Sequence, residues 1–436
     1  MVALALPVVA DQIGLMSMGF VDTIMVGKLG PEALGAVGIG ASVYFFYMVF
    51  AYGVVSAVGP TVAQAFGAGD EGEIARSVGQ AFWLALLLTA GGVLITWNVG
   101  DVLRLLGQPA ELIPLAERYT RALSYGILGS LLFATLRAFL VGLGRTRVTM
   151  VVSICAGVIN AGLDYVFIFG GAGMPALGVA GAGFATTTVQ WCMFAVTLYY
   201  TLRARDLRPY RFLRQILPPD PRHLLRLLRL GAPIGGGNSM EVGIFALTSL
   251  LMGQIGTIAL ASHQVAINVA SITFMIPLGI STAITTRVGQ AIGRNDRPGA
   301  ELAGWIGIAL AIAVMCVTAI IFLTLPRAIV TIYTGDADVL AYASTLLMIA
   351  GAFQIFDGAQ VAALGALRGL KDTARPMLVN LLAYWGVGMP TGYSLAFLAG
   401  LEGPGLWWGL TSGLAVAAIL HSIRFRRLSA AQDYSI

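Results

Sequence analysis

Apolar residues run along this chain in long uninterrupted blocks separated by short polar stretches. Ser77–Gly100, Leu302–Pro326 and Pro376–Leu401 hold no charged residue. Each exceeds the roughly 20 residues that carry a helix across a bilayer. The alternating segments of about ten residues that mark an outer-membrane barrel are not seen. Helices are then the spanning element, because only helices and closed barrels satisfy every backbone group in lipid. Twelve spans are predicted, at 2–26, 33–60, 77–100, 113–142, 148–170, 175–202, 226–254, 257–286, 302–326, 339–367, 376–399 and 403–423. The second and eighth are long enough to tilt or to run past the bilayer surface. The predicted fold class is therefore an all-α integral membrane protein of twelve transmembrane helices.

Composition agrees with this pattern. Of the 436 residues 58% are hydrophobic and 11% charged, against about 25% charged in a soluble domain, which excludes an ordinary globular protein. The basic residues fix the orientation. Loops after even-numbered spans, with the tail, carry Arg76, Arg145, Arg147, eight arginines from Arg203 to Arg229, Arg287, Arg294, Arg297, Arg368, Lys371, Arg375 and the Arg424–Arg427 cluster, 20 of the 26 Lys and Arg residues. Lys28, Arg104, Arg118, Arg121 and Arg327 lie on the opposite side, and Arg137 sits near the inner end of span four. Both termini are predicted to be cytoplasmic. The net charge of +5 belongs to this topology, so no nucleic-acid partner is expected. Cys155, Cys192 and Cys316 all lie in apolar runs, and they form neither a disulfide framework nor a Cys/His metal motif. The chain opens directly into Val2–Met25 without a basic leader segment, which reads as a trimmed start or a start codon placed slightly late rather than as a cleavable signal.

An internal repeat organises the spans. Gln64, Gly67 and Asp70 recur 226 residues later as Gln290, Gly293 and Asp296. The same shift carries Pro7 to Pro233, Gly27 and Gly30 to Gly253 and Gly256, and Ala33-Leu34 to Ala259-Leu260. A shift of 227 aligns Gly142-Leu143 and Thr146 with Gly369-Leu370 and Thr373. Six spans per repeat is an even number, so the two repeats are parallel, an architecture of transporters. The expected domains are an amino-terminal six-helix lobe, 1–203, a basic cytoplasmic linker, 204–222, and a carboxy-terminal six-helix lobe, 223–436.

Five acidic residues fall well inside spans, away from the end turns: Asp11, Asp22, Asp164, Glu241 and Asp357. An ionised carboxylate in a bilayer core costs a few kcal/mol on the mildest scale, so such residues are functional candidates by default. No intramembrane lysine is available to pair with them, and Arg137 lies close to the inner surface. Unpaired acids facing a cavity fit a cation or proton site better than structural ion pairs. Asp22 and Asp164 share a level in the outer half of the first repeat, with Asn160 one turn from Asp164 and with Tyr119 and Thr186 reaching the same zone. Glu241 and Asp357 lie near the middles of spans seven and ten, each with an amide three residues earlier, Asn238 and Gln354. Those hard oxygen ligands suit Na⁺ or a shared proton. The repeat does not duplicate the acids, because the 226 shift carries Asp22 to Thr248 and Glu241 back to Leu15. Against these readings stand blander ones: Asp22 and Asp164 snorkelling to the interface, and Glu241 and Asp357 as protonated carboxyls hydrogen-bonded to a neighbouring helix. Asp11 reads as inert or modulatory, and His263 as a packing residue. Gly235-Gly236-Gly237 permits close helix approach or unwinding in span seven and is not a phosphate loop.

Several short motifs resemble one family. Phe20-Val21-Asp22-Thr23-Ile24-Met25-Val26-Gly27, the Gln64/Gly67 and Gln290/Gly293 pairs, Leu143-Gly144-Arg145-Thr146 and Arg368-Gly369-Leu370-Lys371-Asp372-Thr373 together resemble the multidrug and toxic compound extrusion (MATE) transporters, NorM-like branch. The resemblance covers essentially the whole chain. It implies a V-shaped pair of six-helix lobes in a bacterial inner (plasma) membrane, and export of organic cations and amphipathic drugs in exchange for Na⁺ or H⁺. It also implies a cation site at Glu241 and Asp357, where Na⁺ would bind, and an amino-lobe proton site at Asp22, Asn160, Asp164, Tyr119 and Thr186. Two departures matter: Phe353 stands where branch members often carry a tyrosine, and Asp11 is not expected at its place.

The resulting expectation is a secondary antiporter with no catalytic residues and no cofactor beyond its coupling ion, acting as a monomer on small-molecule drugs within membrane lipid. Substrate and ion would bias one conformational equilibrium in opposite directions. Two rivals are weaker. A flippase for lipid-linked saccharide needs a basic core to hold pyrophosphate, whereas this core is acidic. An intramembrane enzyme needs a convergent nucleophile or metal constellation, and neither His263 nor His421 lies at ligand spacing from an acid.

Overall fold

The computed structural model describes residues 1–171, 173–210 and 218–430. The central part of the predicted linker, with Arg211 and Arg214, and the tail after residue 430 lie outside the described residues.

Span one is α1 (Val2–Gly27). Span two is α2 (Pro31–Ser56) continued by α3 (Val58–Ala68), and span three is α4 (Glu71–Trp97), followed by the short α5 (Val99–Leu105). Span four is split into α6 (Ile113–Ser124) and α7 (Ile127–Gly142); α8 (Thr146–Phe169) and α9 (Val179–Arg203) complete the first repeat. The second repeat consists of α10 (Pro221–Ile255), α11 (Thr257–Gly293), α12 (Arg297–Thr324), the short α13 (Pro326–Thr331) and α14 (Ala337–Gly369). Span eleven follows as α15 (Ala374–Asn380) and α16 (Met389–Tyr393) joined by π-helical turns, and span twelve is α17 (Glu402–Ala430). Among the described residues nine helices, with α2 and α3 counted as one, are long and apolar enough to cross a membrane unaided, and the bent α6–α7 pair makes a tenth. The remaining two passes are α10, whose first turns carry Arg222, Arg226 and Arg229, and the interrupted span eleven.

The repeat motifs turn out to be helix-capping turns. Asp70 caps α4 by accepting from the Glu73 amide at 2.9 Å, and Asp296 caps α12 by accepting from the Gly299 amide at 2.9 Å. Gly69 and Asn295, one residue earlier, both take the left-handed conformation, at φ 72° and 58°. The following amides, Asp70 and Asp296, return to the carbonyls of Ala65 and Ala291, both at 2.9 Å. This is the Schellman closure, which satisfies carbonyls at a helix end. Gly144 and Lys371, at φ 81° and 59°, repeat the same device after α7 and α14.

Spans four and eleven depart from plain helices. α6 and α7 are bent by 46°, at a point where side chains draw on the carbonyl ladder: Thr187 Oγ1 donates to Ala122 O at 2.7 Å and Trp191 Nε1 to Tyr125 O at 2.9 Å. Insertion of outside donors into the ladder is a recognised cause of kinks. Span eleven winds as a π-helix over Leu381–Gly388 and again over Ser394–Leu398, flanking Pro390, which lacks an amide to donate.

The chain resolves into two compact units, Ala10–Gly235, and Gly236 onward together with Met1–Val9. The first has a core of Val54, Val58, Val78, Leu84, Leu131 and Phe139, with α9 packed on α6, α7 and α8, and α4 on α7. Glycine permits its closest approach: a Cβ on Gly53 of α2 would sit 2.4 Å from Gly235 Cα. The glycine triplet thus serves close packing, and α10 stays helical through it. The described carboxy-terminal end of the linker is tied to this unit, with Gln80 Nε2 donating to Pro218 O at 3.2 Å, and just beyond it Ser77 is bonded to His223 Nε2 at 3.1 Å. In the second unit α14 is central, packed against α11, α12 and α17. Its core includes Phe322, Phe353, Leu346 and Trp407. The first turns of α1 join it, with Ala5 packed among Ile280, Ile284 and Val288.

Candidate functional site

Three helices of the first unit converge on a pair of carboxyl groups. Asp22 on α1 is 6% exposed, and Asn160 and Asp164 on α8 are fully buried, so neither acid snorkels to an interface. Asn160 and Asp164 are four residues apart and share a helix face. The Asn160 amide nitrogen donates to Asp22 Oδ1 at 2.6 Å and to Asp164 Oδ2 at 2.7 Å, bridging the two acids. Thr186 Oγ1 on α9 donates to Asp22 Oδ2 at 2.9 Å. The two carboxyl groups also lie within hydrogen-bonding reach of each other. Tyr119 is buried on α6, packed with Val26, Val37, Ile168 and Val179, and close enough to feel both carboxylates. Two acceptors, Asn160 Oδ1 and Asp164 Oδ1, are buried without a hydrogen-bond donor. Among the described residues no cation appears as a hydrogen-bond partner of either acid. Such an arrangement holds a proton between two carboxyls, or offers oxygens to a small cation.

The second unit holds the other candidates in a looser group. Asp357 on α14 is 3% exposed and its Oδ1 has no partner. Glu241 on α10 is half-buried and interacts electrostatically with Asp357. Tyr384, from span eleven, interacts electrostatically with both acids, and its hydroxyl has no hydrogen bond of its own. The two amides lie elsewhere. Gln354 Nε2 donates to Ala270 O at 3.1 Å and to Thr273 Oγ1 at 2.6 Å, both on α11, and Asn238 Oδ1 accepts from Arg368 Nη2 at 2.9 Å. Among the described residues no three His, Cys, Asp or Glu side chains converge as a metal cluster.

Known proteins resemble this chain along nearly its entire length. The sequence profile of the MatE family matches twice, over residues 7–166 and 233–394, two segments offset by the 226 residues of the internal repeat. The chain belongs to the MatE family. It is 39% identical to the "Probable multidrug resistance protein NorM" of Pseudomonas aeruginosa, over 97% of this chain and 88% of that one. It is also 39% identical to the protein of the same name from Rhizobium meliloti, over 98% and 92%. Among solved structures it is similar to the eukaryotic MATE transporter AtDTX14, with a TM-score of 0.88 at 21% identity over 98% of this chain and 96% of that one. A MOP superfamily transporter from Pyrococcus furiosus matches with a TM-score of 0.88 at 21% identity over 100% and 96%. The all-α, twelve-span MATE bundle expected from the sequence is the fold observed.

Two features of this MATE protein correct the sequence reading. Asp11 is not unpaired. It is fully buried, and Arg137 on α7 reaches it, with Nε donating to Asp11 Oδ2 at 2.5 Å and Nη2 donating to Gln12 Oε1 at 2.7 Å. Ser153 on α8 donates to the other Asp11 oxygen. Span position placed Arg137 too near the inner surface, but its side chain is long enough to run along the apolar interior and bring its head to a partner. Arg368, assigned by position to a cytoplasmic loop, likewise turns inward to Asn238, one turn from Glu241.

Tyr384 was not foreseen. Span eleven has no polar periodicity around it, and the repeat places no tyrosine in its counterpart. Phe353, which stands where the resemblance would put a tyrosine, packs edge-on against Phe245 and Trp407. His263 makes the expected packing contacts, with Ser249 at 3.0 Å and the Trp407 ring at 5.8 Å.

Proposed function

We propose that this protein is a secondary multidrug antiporter of a bacterial inner membrane, exporting organic cations and amphipathic drugs in exchange for Na⁺ or H⁺. Its relatives named as multidrug resistance proteins support the substrate class. The observation that carries the coupling is the Asp22–Asn160–Asp164 bridge: two buried acids held by neutral donors alone. In lipid such a pair is stable only with a proton or a small cation bound, and a cationic drug competes for the same charge. Two six-span lobes, 1–203 and 223–436 joined by 204–222, would alternate access between the membrane faces, both termini staying cytoplasmic. Each ligand acts through its different affinity for the two states. Glu241 and Asp357, with Tyr384, form the second cation-binding group, and Asn238 and Gln354 hold the helices around it. The protein works as a monomer in lipid without a cofactor. An acidic interior speaks against a flippase for pyrophosphate-linked sugars, and no nucleophile–base pair supports an enzyme.

The test is ethidium efflux from loaded proteoliposomes under an imposed Na⁺ gradient or an imposed pH gradient, comparing wild type, Asp22→Asn and Asp357→Asn. Efflux driven by one gradient and lost in one variant assigns the ion and the lobe. Absence of efflux under both gradients, for every cationic dye tried, sinks the antiporter reading.

A further inference from the structure

We propose that Arg368 is a built-in counter-cation of the Glu241–Asp357 group, and that it limits this site to a single monovalent cation. The inference rests on the reading of Glu241 and Asp357 as a cation site.

Geometry brings the guanidinium there. Arg368 follows Asp357 on α14 by eleven residues, close to three full turns, so both project from one side of the helix, about 16 Å apart along its axis. Helical side chains lean toward the amino-terminal end, which turns Arg368 back toward Asp357 rather than out to the cytoplasm. Its Nη2 donates to Asn238 Oδ1 at 2.9 Å, and Asn238 stands one turn before Glu241 on α10. The Arg368 Nε is buried with no hydrogen-bond partner, so this end of the guanidinium is not consumed by structural bonds. Electrostatic interaction links Arg368 with Glu241 and with Tyr384.

Charge then counts the ligand. Two ionised carboxylates and one guanidinium, which stays protonated in proteins, sum to one negative charge. One Na⁺ or one proton neutralises the group. A divalent ion would leave a net positive charge enclosed by protein, which is costly where water is scarce. The other groups facing Arg368 do not alter the sum. Asn238 and Tyr384 are neutral. His421 on α17 faces it as an imidazole bonded to Asn380 at 2.7 Å. Arg424, further along α17, is paired with Asp372. Only two acids converge here among the described residues, too few for a dedicated divalent cage.

Trp385 offers a local reporter, because its Nε1 donates to Met240 O at 3.3 Å, beside Glu241. The experiment titrates the tryptophan fluorescence of the purified full-length protein with NaCl, with acid and with MgCl₂. Wild type, Arg368→Gln, Arg368→Lys and Glu241→Gln are compared. Wild type is expected to respond to NaCl or acid and to ignore MgCl₂, and Glu241→Gln to lose the response. Arg368→Gln should bind the monovalent cation about tenfold more tightly, since a neighbouring positive charge is gone, and should acquire a saturable MgCl₂ response. Arg368→Lys should behave as wild type. Wild-type binding of MgCl₂ that Glu241→Gln abolishes overturns the proposal, as does a wild type silent to both NaCl and acid. An Arg368→Gln titration indistinguishable from wild type also overturns it. Where Arg368→Gln does not fold, Arg368→Lys decides: exclusion of MgCl₂ supports the proposal, and admission of it or loss of the response overturns it. The antiporter reading fails separately, if dye efflux is absent while these titrations behave as expected.

Discussion

Gly69 and Asn295 hold the same left-handed backbone conformation, at φ 72° and 58°, in two copies of one turn 226 residues apart. At both places the next residue is an aspartate that caps the following helix. A residue with a Cβ pays about 1–2 kcal/mol to sit there, and asparagine is the side chain that tolerates it best after glycine. Gly69→Val is therefore expected to lower stability by about 1–2 kcal/mol, and Asn295→Gly to leave it unchanged or slightly higher. Thermal unfolding of the detergent-solubilised protein measures both. Equal melting of Gly69→Val and wild type would mean that this turn tolerates a different closure.

This turn also shows why so much of the fold was legible. Hydropathy fixed the number of passes, and the repeat survived where backbone geometry demands particular residues. Most positions inside the spans differ between the two copies, whereas the capping aspartates recur. Asp22, Asn160 and Asp164 were legible for a related reason: depth and a four-residue spacing are properties of straight helices. Illegible were the features that depend on a side chain's course or on a broken helix. Arg137 and Arg368 were read from the position of their backbones, whereas their heads reach partners on other helices, Asp11 and Gln12 for the one and Asn238 for the other. Tyr384 sits in a π-helical segment, where helical spacing no longer reports which residues share a face. The bend between α6 and α7 comes from Thr187 and Trp191, far along the chain.

The Asp11–Arg137 pair predicts a stability effect separable from transport chemistry. Removing one partner of a buried ion pair strands the other charge, at a cost of about 3–5 kcal/mol, while replacing both with apolar groups is close to neutral. Arg137 remains 23% exposed and Asp11 is fully enclosed, so losing the arginine is the more harmful change. Arg137→Met alone is expected to be strongly destabilising, and the Asp11→Leu, Arg137→Met double variant to recover most of the loss. A double-mutant cycle on thermal stability measures the coupling. Strictly additive losses would show that the pair is not an energetic unit.

His223 gives the first unit a pH dependence outside the membrane spans. Burial holds its imidazole below the ordinary value of 6.5; Arg226 and Arg76 push the same way, while Glu73 and Asp220 oppose. The unfolded chain then takes up a proton that the folded chain resists. Stability is full above pH 6.5 and falls as the pH drops below that value toward the depressed folded one. Asp220, held low by the His223 and Arg222 amides, acts in the same direction but only in more acidic solution. His223→Gln keeps a polar partner for Ser77 without titrating, so its unfolding midpoint should fall less steeply from pH 7 to pH 5 than that of wild type, the buried His263 and His421 keeping their share of the dependence. Unfolding followed at several pH values checks this, and an unaltered slope in the variant would assign the dependence to other groups.

Asn160 is the residue whose loss should separate binding from folding. Its amide nitrogen donates to both Asp22 and Asp164, so Asn160→Leu leaves two close carboxyls with, among the described residues, Thr186 as their remaining side-chain donor from outside the pair. Each hydrogen bond to a charged group is worth about 1.5–3 kcal/mol, yet a retained proton shared by the carboxyls offsets much of that loss. The expected result is a folded protein that holds its proton too tightly to exchange it, with efflux reduced at least about tenfold. Asn160→Gln, which keeps the amide on a longer arm, should retain part of the activity. Dye efflux measured beside thermal stability distinguishes the cases. If Asn160→Leu melts far below wild type, the bridge is chiefly structural; if it transports normally, the two carboxyls do not need a common donor to exchange their cation.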